Sequence, residues 1–155
     1  MFNKTMAAIL LTISAALPGL AQAQGKPMKL ESTVQLVQPA EEGGEPRLVA
    51  AEGVVPGDTL VFTTSYRNEG GTTVTDFVIV NPVPADLVLS DEAAGQTEVS
   101  VDGGAKWGPL SELTVLGEDH QERPATIDDI THMRWAIAEV PPAGAGQVRF
   151  SARVR

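Results

Sequence analysis

Between Leu60 and Arg67 the chain alternates without interruption: Leu60, Phe62, Thr64 and Tyr66 share one parity, and Val61, Thr63, Ser65 and Arg67 share the other. Successive side chains of a strand point to opposite faces, so this period of two specifies a half-buried strand rather than a helix. Asn68 to Gly71 then supplies residues that tolerate positive φ, and the chain can reverse there. The next segment, Thr72 to Val80 (TTVTDFVIV), has a nearly continuous apolar end in Phe77 to Val80, as expected of a strand covered on both faces. Pro82 and Pro84 end it, because proline cannot donate to a sheet ladder.

The same punctuation recurs along the chain. Met28 to Val37 places Met28, Leu30, Val34 and Leu36 on one face, and the Pro/Gly-rich text QPAEEGGEP ends it. Arg47 to Ala51 reads as a short second strand. Leu87 to Ser90, Thr97 to Val101 and Val148 to Val154 repeat the pattern, and Asp102-Gly103-Gly104 is a hairpin-turn signal. Thr126 followed three residues later by Asp129 resembles a helix-start capping pair, while Met133, Trp135 and Ile137 alternate, so one helical turn followed by a strand is expected. About seven strands joined by short turns predict an all-β fold of two packed antiparallel sheets, a β-sandwich. Its expected core is Leu60, Phe62, Tyr66, Val78, Val80, Leu87, Trp135, Ile137, Val148, Phe150 and Val154. In the last strand Arg149, Arg153 and Arg155 fall on the solvent face as a basic stripe, read as protection of an exposed edge or as a dock for an acidic partner.

Residues 1–23 carry one basic residue, Lys4, then the apolar run Met6 to Leu17, Pro18-Gly19 and the Ala-Gln-Ala of positions 21–23. This is the pattern of a secretory signal peptide cleaved before Gln24, and the run is shorter than the roughly 20 residues of a membrane span. Residues 24–155 then form one domain. The leader holds none of the acidic residues, so the remainder has ten basic against twenty acidic residues, a net of −10. An acidic chain of this kind repels phosphate backbones, which argues against nucleic acid as a partner. Cysteine is absent throughout, which removes disulfides, thiol catalysis and thiolate metal sites. With no second apolar stretch of membrane length, a periplasmic or secreted product is expected.

No residue set carries an evident chemistry. His120, beside Glu118, Asp119 and Glu122, reads as part of a solvated charged loop, since no metal-ligand spacing surrounds it. His132 follows Asp128 and Asp129 and reads as a turn histidine. A serine hydrolase would need a nucleophile on a strained turn with a base in reach, and Gly-x-Ser-x-Gly does not occur. The carboxylate pairs Asp91-Glu92 and Asp128-Asp129 read as solvated, and the Asp-x-Asp-x-Asp-Gly spacing of a calcium loop is missing. No cofactor or metal is therefore expected. Trp107, in a Gly-rich turn, reads either as an exposed binding aromatic or as a cap on the core.

Val54 to Leu87 resembles the bacterial immunoglobulin-like repeat catalogued as domain of unknown function 11. The matching positions are Pro56-Gly57-Asp58, Tyr66-Arg67-Asn68, Gly70-Gly71 and Asn81-Pro82-Val83-Pro84. Met133 to Arg155 is similar to the family's closing Trp strand, Pro-Ala-Gly turn and final alternating strand. The resemblance implies an immunoglobulin-like antiparallel β-sandwich of about seven strands, in a single-domain exported member without established catalytic residues. The expected function is a non-enzymatic structural or protein-interaction domain of the bacterial cell envelope or surface. The alternative is a small-ligand or glycan-binding module at the loop end, using Trp107.

Overall fold

The alternating segment forms the strand at the centre of the larger sheet. In the computed structural model, which describes residues 27–40 and 44–155, β1 (Met28–Gln38), β2 (Arg47–Ala50), β3 (Thr59–Asn68), β5 (Leu87–Leu89) and β10 (Ala145–Val154) form an antiparallel sheet of order β2-β1-β3-β10-β5. A second sheet of order β4-β9-β6 combines β4 (Val74–Pro82), β6 (Glu98–Ser100) and β9 (His132–Val140), and β7 (Thr114–Leu116) pairs with β8 (Glu122–Pro124) in a separate hairpin. The expected all-β antiparallel sandwich is thus observed, with ten strands among the described residues rather than about seven. The leader, residues 1–23, and the cleavage position lie outside the described residues.

Three aromatic rings join the two layers. Phe62 and Phe150 lie opposite one another across β3 and β10, their rings stacked at 4.7 Å between centroids. Trp135 of β9 meets Phe150 from the other sheet at 5.9 Å. Leu60, Leu87, Leu89, Val99, Met133 and Ala152 complete this buried cluster, each apolar side chain contributing about 1.5–3 kcal/mol when fully removed from water. Tyr66 and Phe77 make a second bridge between the sheets at 5.8 Å. Tyr66 lies across Gly146, where any Cβ would collide with its ring, so the glycine makes room for the aromatic.

Val78 and Val80, expected in the core, are instead 45% and 47% exposed, and Ile79 between them is buried at 3%. The cause is local. Asp76 adopts φ 52° within β4, a left-handed conformation uncommon for a non-glycine residue. On both strands the inward side skips two residues, passing from Val74 and Val140 to Phe77 and Ile137 while the pairing register stays constant. The apolar run is therefore not covered on both faces.

The expected helical turn before β9 is a 3-10 turn, Ile127–Asp129, with both bonds of a capping box. An additional six-residue helix, α1 (Asp91–Gln96), is capped by the Ser90 hydroxyl, which accepts from the Ala93 N–H at 3.2 Å. Among the described residues no helix is long and apolar enough to cross a membrane.

Candidate interaction surfaces

Trp107 sits on a loop closed by Val99 and Gly108, whose backbones bond in both directions. Gly103 and Gly104 take φ of 79° and 94°, which accounts for glycine at both. The Asp102 carboxylate gathers the loop by accepting the Lys106 N–H (2.9 Å), the Ala105 N–H (3.0 Å) and the Ser100 hydroxyl (2.8 Å). Those donors, the Lys106 amide foremost, hold its carboxyl below the usual carboxylate range. The loop thus satisfies its own polar groups.

The tryptophan itself is half-buried and lies against the outer side of the three-stranded sheet. Its indole N–H donates to the Gly104 carbonyl at 2.8 Å. The Arg134 guanidinium lies over the ring at 4.7 Å and is fixed from the other side by Glu98 at 2.7 Å, while His132 approaches edge-on at 6.4 Å. Such a cation–π contact is worth about 0.5–1 kcal/mol at an exposed site. The ring does not join the core cluster, and Arg134 occupies one of its faces.

The basic stripe is also rearranged. β3 flanks β10 along its length, but β5 covers only its last residues, so residues 145–150 are open on that side among the described residues. Arg149 lies in that open stretch, where edge protection fits it, whereas Arg153 lies opposite Val88 of β5. Arg149 and Arg153 do share the outer face, opposite Thr63 and Thr59, and Arg149 reaches the Thr63 hydroxyl at 3.3 Å. Arg155 leaves the stripe to pair with the Asp128 carboxylate at 3.0 Å.

Among the described residues β4 is the longest strand left open along one whole side. It pairs with β9 on one side, and none of its backbone groups bonds to any other described segment. The strands at the other edges are shorter, β2 with four residues and β5 and β6 with three each, and past their ends residues 28–34 of β1, 145–150 of β10 and 135–139 of β9 are also open on one side among the described residues. Half the residues of such an edge aim their N–H and C=O outward, ready to accept another strand. The exposed Val78 and Val80 flank that edge on the outer side.

The remaining polar candidates are structural in their surroundings. His120 is exposed at φ 59° in the β7–β8 turn, where its N–H bonds the Gly117 carbonyl. The charged text GEDHQER reads as loop, whereas in the structure it forms the turn of a hairpin and the start of β8. His132 contacts the Thr131 hydroxyl at 3.1 Å. Asp129 is gripped by Arg123 through two bonds of 2.7 Å and also accepts the Thr126 N–H and hydroxyl at 2.8 Å each. The Arg123 fork, more than any other neighbour, holds the Asp129 carboxyl far below the ordinary range. Asp91 and Glu92 occupy the first turn of α1, where the helix dipole favours negative charge. Among the described residues no three His, Asp or Glu side chains are grouped to share a metal ion.

No family model, curated protein or solved structure matches this chain.

Proposed function

We propose that this chain is an exported, non-enzymatic structural or protein-interaction domain of the bacterial cell envelope, and a member of the immunoglobulin-like repeat family it resembles. The partner docks by adding a strand to β4. The observation that carries this reading is the nine-residue β4 edge, open along its length and bordered by two exposed valines. Main-chain bonds supply affinity in such an arrangement, and alternate side chains supply selectivity. Export rests on the leader pattern of residues 1–23.

The absence of cysteine from the sequence makes the test clean, since any introduced thiol is the only one present. Val78→Cys and, as control, Leu116→Cys on the exposed β7–β8 hairpin are labelled with a photo-cross-linker and returned to the native host. The reading predicts that the fractionated envelope contains a discrete adduct from position 78 that position 116 does not form. An adduct of twice the chain's own mass identifies the added strand as a second copy. Equal smears from both positions, or recovery of the protein only in the cytoplasm, would overturn the reading.

A further inference from the structure

The outer face of the five-stranded sheet is basic, although the whole chain carries a net charge of −9. Lys29 on β1, Arg67 on β3 and Arg149 and Arg153 on β10 all point to that side, as their register places them opposite one another or opposite outward neighbours. Among the described strand residues of this face the one carboxylate is Glu31, which pairs with Lys29 at 2.9 Å, and from α1 Asp91 and Glu92 border the depressions beside Arg153 and Arg149. The arginines form a line. Arg67 is opposite Ala145, four residues before Arg149, and Arg153 is four residues after it, so cations recur about every 13 Å along the strand at about 3.3 Å per residue.

Between these cations lie neutral donors and acceptors. Ser65 and Gln147 are opposite one another beside Arg67, Thr63 is opposite Arg149, Ser151 separates the two β10 arginines, and Thr59 is opposite Arg153. Lys29, Ser65, Arg67 and Gln147, with the Lys29-paired Glu31, also line one depression of ≈ 430 Å³ at the Arg67 end. No aromatic side chain and no exposed large aliphatic stands on the outward positions of β3 and β10. A protein partner is usually anchored by aromatic or aliphatic residues in a desolvated centre, and this strip offers no such centre.

We propose that this face binds a linear, carboxylate-bearing glycan lying along β3 and β10. Arg67, Arg149 and Arg153 take its carboxylates, for which the guanidinium fork is suited, and Ser65, Thr63, Gln147 and Ser151 bond its hydroxyls. The acidic remainder of the chain repels a polyanion and so confines it to this side. The site is independent of strand addition at β4, which belongs to the other sheet.

The test uses the purified full chain and three immobilised probes: alginate as a linear polyuronate, dextran as an uncharged glycan, and polyglutamate as a polyanionic peptide. Binding to alginate is expected to exceed binding to the other two. It should disappear near 1 M salt, where the Debye length falls to about 3 Å. Arg149→Ser with Arg153→Ser is expected to weaken it about tenfold, equivalent to about 1.4 kcal/mol. Gln147→Glu, which leaves every arginine in place, should weaken it too, while Arg155→Ser, off this face, should not. Thermal melts of each variant separate lost binding from lost folding. No retention on alginate, equal retention on polyglutamate or dextran, or unchanged binding by folded Arg149/Arg153 and Gln147 variants would each overturn the proposal.

Discussion

The Asn68 side chain donates to the Val140 carbonyl at 2.9 Å, tying the end of β3 in one sheet to the end of β9 in the other. Asn68 is fully buried, and its amide nitrogen also donates to the Thr72 carbonyl at 2.8 Å while its oxygen accepts the Gly70 N–H at 2.9 Å. Its backbone completes the arrangement, donating to the Gly144 carbonyl and accepting from the Ala143 N–H. One residue thus fixes both the β3–β4 reversal and its junction with the β9–β10 turn. Asn68→Asp retains the shape but loses both donated bonds and brings a carboxylate against two carbonyls. Leaving buried partners unpaired costs about 1–3 kcal/mol each, so Asn68→Asp and Asn68→Ala should each lower stability by at least about 2 kcal/mol in urea unfolding. A midpoint within error of the parent protein would show that the junction does not depend on this amide.

Tyr66 and Gly146 are expected to behave as a coupled pair. Gly146→Ala places a methyl group in the Tyr66 ring and should destabilise by about 1–3 kcal/mol through overpacking. In the background of Tyr66→Ala the same change should cost much less, because the obstructing ring is gone. Additive losses in the double-mutant cycle would place the cost in the backbone instead.

The face assignment in β4 is checked by neighbouring residues. Ile79→Ala should cost about 2–4 kcal/mol, whereas Val78→Thr and Val80→Thr should each stay within about 0.5 kcal/mol. The opposite ranking in thermal or denaturant unfolding would mean that the parity does not shift at Asp76.

This shift marks the boundary of what could be read from the chain. Leu60, Phe62, Phe150 and Ala152 obey a simple alternation and are placed as their parity requires. Beyond Asp76 the alternation gives no warning of the change of face, because a single left-handed residue resets the pleat without altering composition. The helix α1 is too short to show a period, although Ser90 followed by Asp91 and Glu92 is a readable cap. The setting of Trp107 was not legible at all: His132 and Arg134 lie more than twenty residues further along the chain and meet it only through the β6–β9 pairing. Likewise the alternation of β10 shows which way its arginines face, but how much of the strand is covered on its second side depends on long-range pairing.

Arg123 and Asp129 give a pH signature. The folded-state pKa of Asp129 is lowered, so the associated stability is present above the ordinary aspartate value near 3.9 and is lost as pH falls through the folded value. Arg123→Gln should therefore destabilise at pH 7, and the difference from the parent should shrink as the pH is taken well below about 3.9. A difference that stays constant to the lowest pH at which the fold survives would assign the loss to packing rather than to the ion pair.

Amide hydrogen exchange along β4 tests most directly whether this edge is the docking site. In the purified protein, alternate amides between Val74 and Asn81 should exchange fast, as their N–H groups face outward without a partner, while the central amides of β3, flanked on both sides, stay protected. In the adduct recovered through Val78→Cys, the same β4 amides should become protected because an added strand now accepts them. Slow exchange of every β4 amide in the free protein, or fast exchange that persists in the adduct, would contradict strand addition at this edge.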